Sequence, residues 1–76
     1  MKRYEINRSI RRLLGVSGRE LAERVEVTKQ TISNYEKGCA VCRPIERVIE
    51  IELDLFIESC PDDTIKDMCY QLKRKR

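Results

Sequence analysis

Apolar side chains recur at helical intervals in successive stretches, separated by short breaks rich in Gly, Ser, Thr, Pro and Asp. Ile6, Ile10, Leu13 and Leu14 fall at i, i+4, i+7 and i+8, which predicts a helix over 3–14 with Arg8, Arg11 and Arg12 off its stripe and Gly15 at its end. Ser17, with Glu20 three residues on, reads as a capping box. Leu21, Ala22 and Val25 then give the next helix one narrow buried face. After a break at Glu26-Val27, Thr28 caps a third helix, whose apolar members Ile32 and Tyr35 lie three apart, and Gly38 stops it. The opposite face of this third helix is polar throughout: Lys29, Gln30, Ser33 and Asn34. Two short helices joined by a tight turn, the second carrying a polar outward face, form the helix-turn-helix pattern.

Pro44 suits the first turn of a fourth helix, roughly 45–58. Its apolar residues Ile45, Val48, Ile49, Ile51, Leu53, Leu55, Phe56 and Ile57 cover about two thirds of the circumference, leaving Glu46, Arg47, Glu50, Asp54 and Glu58 outside. One small core needs a narrower stripe, so helix 5 or a second subunit must cover the rest. Pro61 ends this helix, and Asp62 and Asp63 suit the start of a fifth. There Ile65, Met68, Cys69 and Leu72 repeat at i, i+3, i+4 and i+7. Ile65, Met68 and Leu72 are expected to hide one side of helix 4. The side around Ile51 and Leu55 is left for a partner, as expected of a homodimer interface. Lys73 to Arg76 close the fifth helix at the end where positive charge is favoured and are expected to fray.

At 76 residues the chain is read as one all-α domain spanning 1–76, with five helices and one small core. Charge adds a division that the helices alone do not show. Residues 1–44 hold ten Lys/Arg and five Asp/Glu, a net +5; residues 45–72 hold two and eight, a net −6; the last four add +4, giving +3 overall. The basic half contains the motif, so a polyanion is drawn to that half and repelled by the acidic segment. No apolar run approaches the ~20 residues of a membrane span. The start M-K-R-Y-E-I-N-R lacks the apolar region of a secretory signal. No membrane partner and a cytoplasmic location are therefore expected.

The stretch L-A-E-R-V-E-V-T-K-Q-T-I-S-N-Y-E-K-G resembles the helix-turn-helix of the lambda-repressor-like, Xre-type regulators of bacteria and phages. Ala22, Val27, Ile32, Tyr35, Glu36 and Gly38 match that pattern in type and spacing. Two positions depart from it: the turn glycine is Glu26, and the glutamine that often opens the first motif helix is Gly18. The resemblance implies base reading by Thr28, Lys29, Gln30 and Asn34, phosphate contact at Lys37, pairing of Arg11 with Glu36, and a homodimer on a two-fold operator. Side-chain chemistry agrees. Gln30 and Asn34 can each pair bidentately with adenine, Lys29 can donate to guanine, and the Thr28 methyl can meet a thymine methyl. Ser33 can face a base or a phosphate. Ser17, Arg19, Lys37 and Arg43 are candidates for phosphate contacts, which set register rather than sequence.

Other chemistries find little support. Cys39 and Cys42 have a zinc-knuckle spacing, but Cys60 and Cys69 are eight apart rather than two to four, and there is no His. The four are read as reduced thiols, with Cys69 behaving as a small hydrophobe, and no metal or other cofactor is expected. Without His, a Ser or Cys nucleophile lacks its usual base. The isolated Gly15, Gly18 and Gly38 make no phosphate-binding loop. The sequence therefore reads as a non-enzymatic, sequence-specific binder of double-stranded DNA that regulates transcription, with no small-molecule substrate. The alternatives are an antitoxin or restriction-system controller on the same fold, or a protein-interaction adaptor docking through helix 4.

Overall fold

The computed structural model describes residues 2–76 and holds five helices: α1 (Arg3–Leu14), α2 (Gly18–Arg24), α3 (Lys29–Glu36), α4 (Arg43–Glu58) and α5 (Asp63–Lys73). Their starts follow from capping chemistry. The Glu5 carboxylate accepts from the Lys2 N–H at 2.9 Å, ahead of α1. Ser17 Oγ accepts from the Glu20 N–H at 3.0 Å, and Thr28 Oγ1 from the Thr31 N–H at 3.2 Å. Asp62 Oδ1 takes the N–H groups of Thr64 and Ile65 at the start of α5. Each bond satisfies a donor that the first helical turn would leave unpaired. Pro44 lies within the first turn of α4, where its missing N–H matters little. Of the capping box predicted at Ser17, only the serine half forms among the described residues.

The core joins one face of every helix: Ile6 and Ile10 from α1, Leu21 and Ala22 from α2, Ile32 and Tyr35 from α3, Ile49, Leu53 and Ile57 from α4, and Cys69 from α5. Val16 closes it from the link between α1 and α2. Helices α2 and α3 pack on each other, while α1 lies against α3, α4 and α5. Helix 1 is thus the beam that carries the motif on one side and the C-terminal pair on the other.

Three expectations about the C-terminal half are corrected. Met68 is 44 % exposed and is not among the side chains packed on the core. Tyr70, Lys66 and Lys73 are the α5 residues that reach Glu58 and Asp54 of α4, and Met68 projects from roughly the opposite side of the helix. Glu50, expected on the outer face, has a side chain only 13 % exposed and lies among Arg3, Asn7 and Arg76. Arg76, expected to fray, is folded back: its guanidinium meets Asp54 Oδ1 at 2.6 Å and Asn7 Oδ1 at 3.0 Å. Two oxygen acceptors and the Glu50 carboxylate, 3.7 Å away, converge on one guanidinium and offset the entropy of ordering a terminal side chain. Arg74 and Lys75 remain exposed.

Two residues in the motif have left-handed backbone for different reasons. Glu26, in the turn between α2 and α3, has φ 58, and the Val27 N–H bonds the Ala22 carbonyl at 3.0 Å to close the preceding helix. A side chain there costs on the order of 1 kcal/mol relative to glycine. Gly38, just past α3, has φ 88, and a Cβ on it would lie 2.8 Å from the ring of Tyr4. The two positions should therefore respond oppositely in thermal melts. Glu26→Gly is expected to be neutral or slightly stabilising, the relieved strain offsetting the added chain entropy. Gly38→Ala is expected to cost at least about 1–2 kcal/mol, because it adds strain and displaces Tyr4. Equal effects at the two positions would contradict this account of the turn.

Candidate nucleic-acid interface

Helix 3 has two unlike sides. Ile32 and Tyr35 are 1 % and 4 % exposed, whereas Lys29, Gln30 and Thr28 face solvent and Ser33 and Asn34 are half-buried at the edge of the same surface. Along that surface Gln30 Nε2 donates to Asn34 Oδ1 at 2.9 Å. The bond leaves Gln30 Oε1 and the Asn34 amide group, neither of which bonds elsewhere among the described residues, as one acceptor–donor pair. Thr28 uses its hydroxyl oxygen on the cap and on Thr31 Oγ1 at 3.0 Å, so its methyl is the group left for contact.

The candidate phosphate ligands surround this surface unevenly. Ser17, the N-cap of α2, is exposed and Arg19 beside it has a side chain 81 % exposed, held loosely 3.5 Å from Glu23. The start of α2 adjoins the middle of α3, since a Cβ on Gly18 would lie 3.9 Å from Ile32 Cγ2. Lys37 caps the C-terminal end of α3 and is exposed. Arg43 opens α4 instead, and faces a separate cleft of about 420 Å³ shared with Arg3, Glu46, Arg47 and Glu50. Among the described residues, Lys29, Lys37 and Arg43 pair with no carboxylate. Three of the five acidic groups of α4 are engaged internally: Glu50 with Arg3 and Arg76, Asp54 with Arg76 and Lys73, and Glu52 with Arg24 at 3.9 Å. The cations around α3 are thereby left available to an external anion.

Two ties from α1 set the attitude of α3. The first is Arg11, which grips Glu36 through two parallel N–H donors at 2.6 and 2.9 Å and bonds the Val16 carbonyl at 2.8 Å. Both side chains are about 14 % exposed or less, and a planar fork on a carboxylate at that depth is strong and directional. The second was not foreseen from the sequence. Asn7, 1 % exposed, donates to Tyr35 Oη at 2.6 Å and to Glu50 Oε2 at 2.9 Å, and accepts from Arg76. One amide thus links α1, α3, α4 and the C-terminal residue. A signal for it was available: Asn7 precedes Ile10 by three and Leu14 by seven, so it lies inside the apolar stripe of α1. Burial raises the Tyr35 phenol pKa, against the opposing Asn7 bond. At Glu50 burial works against the carboxylate, but hydrogen bonds from Arg3 and Asn7 and the charge of Arg76 outweigh it and lower the pKa.

The cysteines stand apart from this surface. Cys39 and Cys42 are exposed, Cys60 is half-buried, and Cys69 lies in the core, where burial together with nearby Cys60 pushes its thiol pKa up. Among the described residues no three potential ligands gather as a metal site would require. No described helix is long and apolar enough to cross a membrane.

A family model described as helix-turn-helix matches residues 8–56, well over half of the chain, from within α1 through the motif to near the end of α4. No curated protein and no solved structure gives a significant match.

The Glu50 cluster gives an acid-sensitive contribution to stability. A carboxylate whose folded pKa lies below its ordinary value of about 4.5 stabilises the fold above that pH, and the stabilisation is lost as pH falls through the folded value. Replacing Glu50 by Gln should cost about 1–3 kcal/mol at pH 7, the scale of hydrogen bonds to a charged group. Denaturation midpoints of wild type and Glu50→Gln should converge as the pH falls below 4.5 and through the lowered folded value. A gap that stays constant over that range would show that the charge of Glu50 is not what holds the cluster.

Proposed function

The chain belongs to the lambda-repressor-like, Xre-type helix-turn-helix family of DNA-binding regulators, a generally non-enzymatic one, and from that premise we propose that it binds double-stranded DNA sequence-specifically as a bacterial or phage transcription regulator. Helix 3 enters the major groove. Its eight residues span about 12 Å, and the groove is about 12 Å wide. Thr28, Lys29, Gln30, Ser33 and Asn34 read bases, while Ser17, Arg19, Lys37 and Arg43 hold phosphates. The protein acts in the cytoplasm as a homodimer on a two-fold site.

The observation that carries this reading is the Gln30–Asn34 bond on a helix clamped from behind by Arg11 and Asn7. A polar helix face that is merely solvated has no need of a fixed attitude. A helix that reads base edges does, because a bidentate contact tolerates little misplacement. The bonded pair also makes a specific demand. Gln30 and Asn34 should act as one unit, so their separate replacement by Ala should not be additive.

Gel shift on duplex DNA tests the reading. Affinity should fall several-fold or more between 50 and 200 mM salt. Gln30→Ala and Asn34→Ala should each lose about 1–3 kcal/mol on the best site and relax one or two base pairs. The double variant should lose less than the sum. Lys37→Ala should weaken all sequences alike and flatten the salt slope by about one unit. Absence of duplex binding at any salt would favour the adaptor reading instead.

A further inference from the structure

Helix 4 turns one stripe of large apolar side chains away from the core. Ile49, Leu53 and Ile57 are at most 1 % exposed, whereas Val48, Ile51 and Leu55 are 43, 50 and 57 % exposed. The three lie at i, i+3 and i+7, within an arc of about 60° on the helix, so they form one continuous surface. Helix 5 packs along one edge of it, where Tyr70, Lys66 and Lys73 meet Glu58 and Asp54, and leaves the stripe itself exposed. The α2 side is bounded by Arg24, which stacks over Phe56 at 5.2 Å and pairs with Glu52.

The charges beside this stripe identify its occupant. Arg47 and Glu58 lie on the same flank, near its two ends, about 16 Å apart along the axis. Both are exposed, and among the described residues neither has an ion-pair partner; the Glu58 carboxylate accepts the Tyr70 hydroxyl, and Lys66 Nζ donates to the Glu58 backbone carbonyl. A surface with a positive end and a negative end, an equal distance either side of its middle, complements itself when turned through 180°. An unrelated partner would have no reason to match it twice. The geometry points to antiparallel pairing of α4 with α4 of a second copy of this chain, about a two-fold axis beside Glu52. This deepens the homodimer of the proposed function and rests on it.

In that register Ile51 of each copy packs against Leu55 of the other, and Val48 packs on the methylene groups of Glu58. Antiparallel helices bring like flanks together, so Arg47 of each copy meets Glu58 of the other, two ion pairs for one two-fold. The Glu52 side chains approach each other near the axis. Each is only 19 % exposed and already has Arg24 beside it, which softens the repulsion. Three apolar side chains per copy bury less than the roughly 1,200 Å² at which stable interfaces begin. The dimer is therefore weak in free solution and is completed by binding two adjacent half-sites.

Sedimentation of the intact chain without DNA tests the pairing, over concentrations from about 10 μM upwards. The wild type should dimerise within that range, and Leu55→Glu should remain monomeric while keeping its helical content. Arg47→Glu and Glu58→Arg should each weaken the dimer about tenfold, and the doubly swapped protein should recover to within a few-fold of wild type. Recovery is the decisive outcome, because neither a general loss of folding nor a contact made elsewhere would restore it. A wild type monomeric at about 1 mM, a dimer indifferent to Leu55→Glu, or swapped charges that fail to recover would each overturn the pairing. A monomer that still binds duplex DNA specifically would overturn the pairing and leave the DNA reading standing; a dimer that binds no duplex would do the reverse.

Discussion

Helix 3 is only eight residues long, too short to hold its own shape or direction in water. Everything it does depends on being gripped from behind, and α1 supplies the grip. Arg11 fixes the C-terminal turn through the Glu36 carboxylate, while Asn7 fixes the buried phenol of Tyr35 one residue earlier. The apolar contacts of Ile32 and Tyr35 decide that the helix is docked, but greasy contact alone tolerates sliding and rolling. Two directional bonds to adjacent residues remove both motions. Because Asn7 is itself held by Glu50 and Arg76, the seat of α3 is continuous with the C-terminal half. Removing one member of such a buried polar set leaves its partners unpaired, which costs more than the lost bond.

The same network organises the charge of the molecule. The acidic segment seen in the sequence does not form a bare negative surface. Glu50, Glu52 and Asp54 are answered by Arg3, Arg24, Lys73 and Arg76. Among the described residues, the basic side chains without a carboxylate partner include Lys29 and Lys37 of the motif and Arg43 and Arg47 at the start of α4. Internal pairing therefore directs the field of a chain with a net charge of only +3 towards one side.

Much of this was legible in the sequence because helical periodicity is local. The boundaries of α1, the Ser17, Thr28 and Asp62 caps and the outward position of Lys29 to Asn34 all follow from neighbours within one or two turns. The left-handed Glu26 and the Arg11–Glu36 pair were legible through the resemblance, which supplies long-range partners that spacing does not. Asn7, Glu50 and Arg76 escaped because each is defined by residues far along the chain, and a polar residue in an apolar stripe announces no partner. Met68 misled for a related reason. It has the right spacing for the apolar stripe of α5, but spacing does not say which neighbour covers which edge of that stripe, and Met68 falls on an edge left largely open. The exposed stripe of α4 could be expected from its excess of apolar residues, though Val48 joined it only once the packing was known.

Selection of bound sites from random duplex DNA asks whether the seated helix reads sequence. The expected result is enrichment of a two-fold motif whose half-sites are centred about 34 Å apart, one helical turn, or a multiple of it. Recovery of unenriched sequences, bound only through their phosphates, would contradict it.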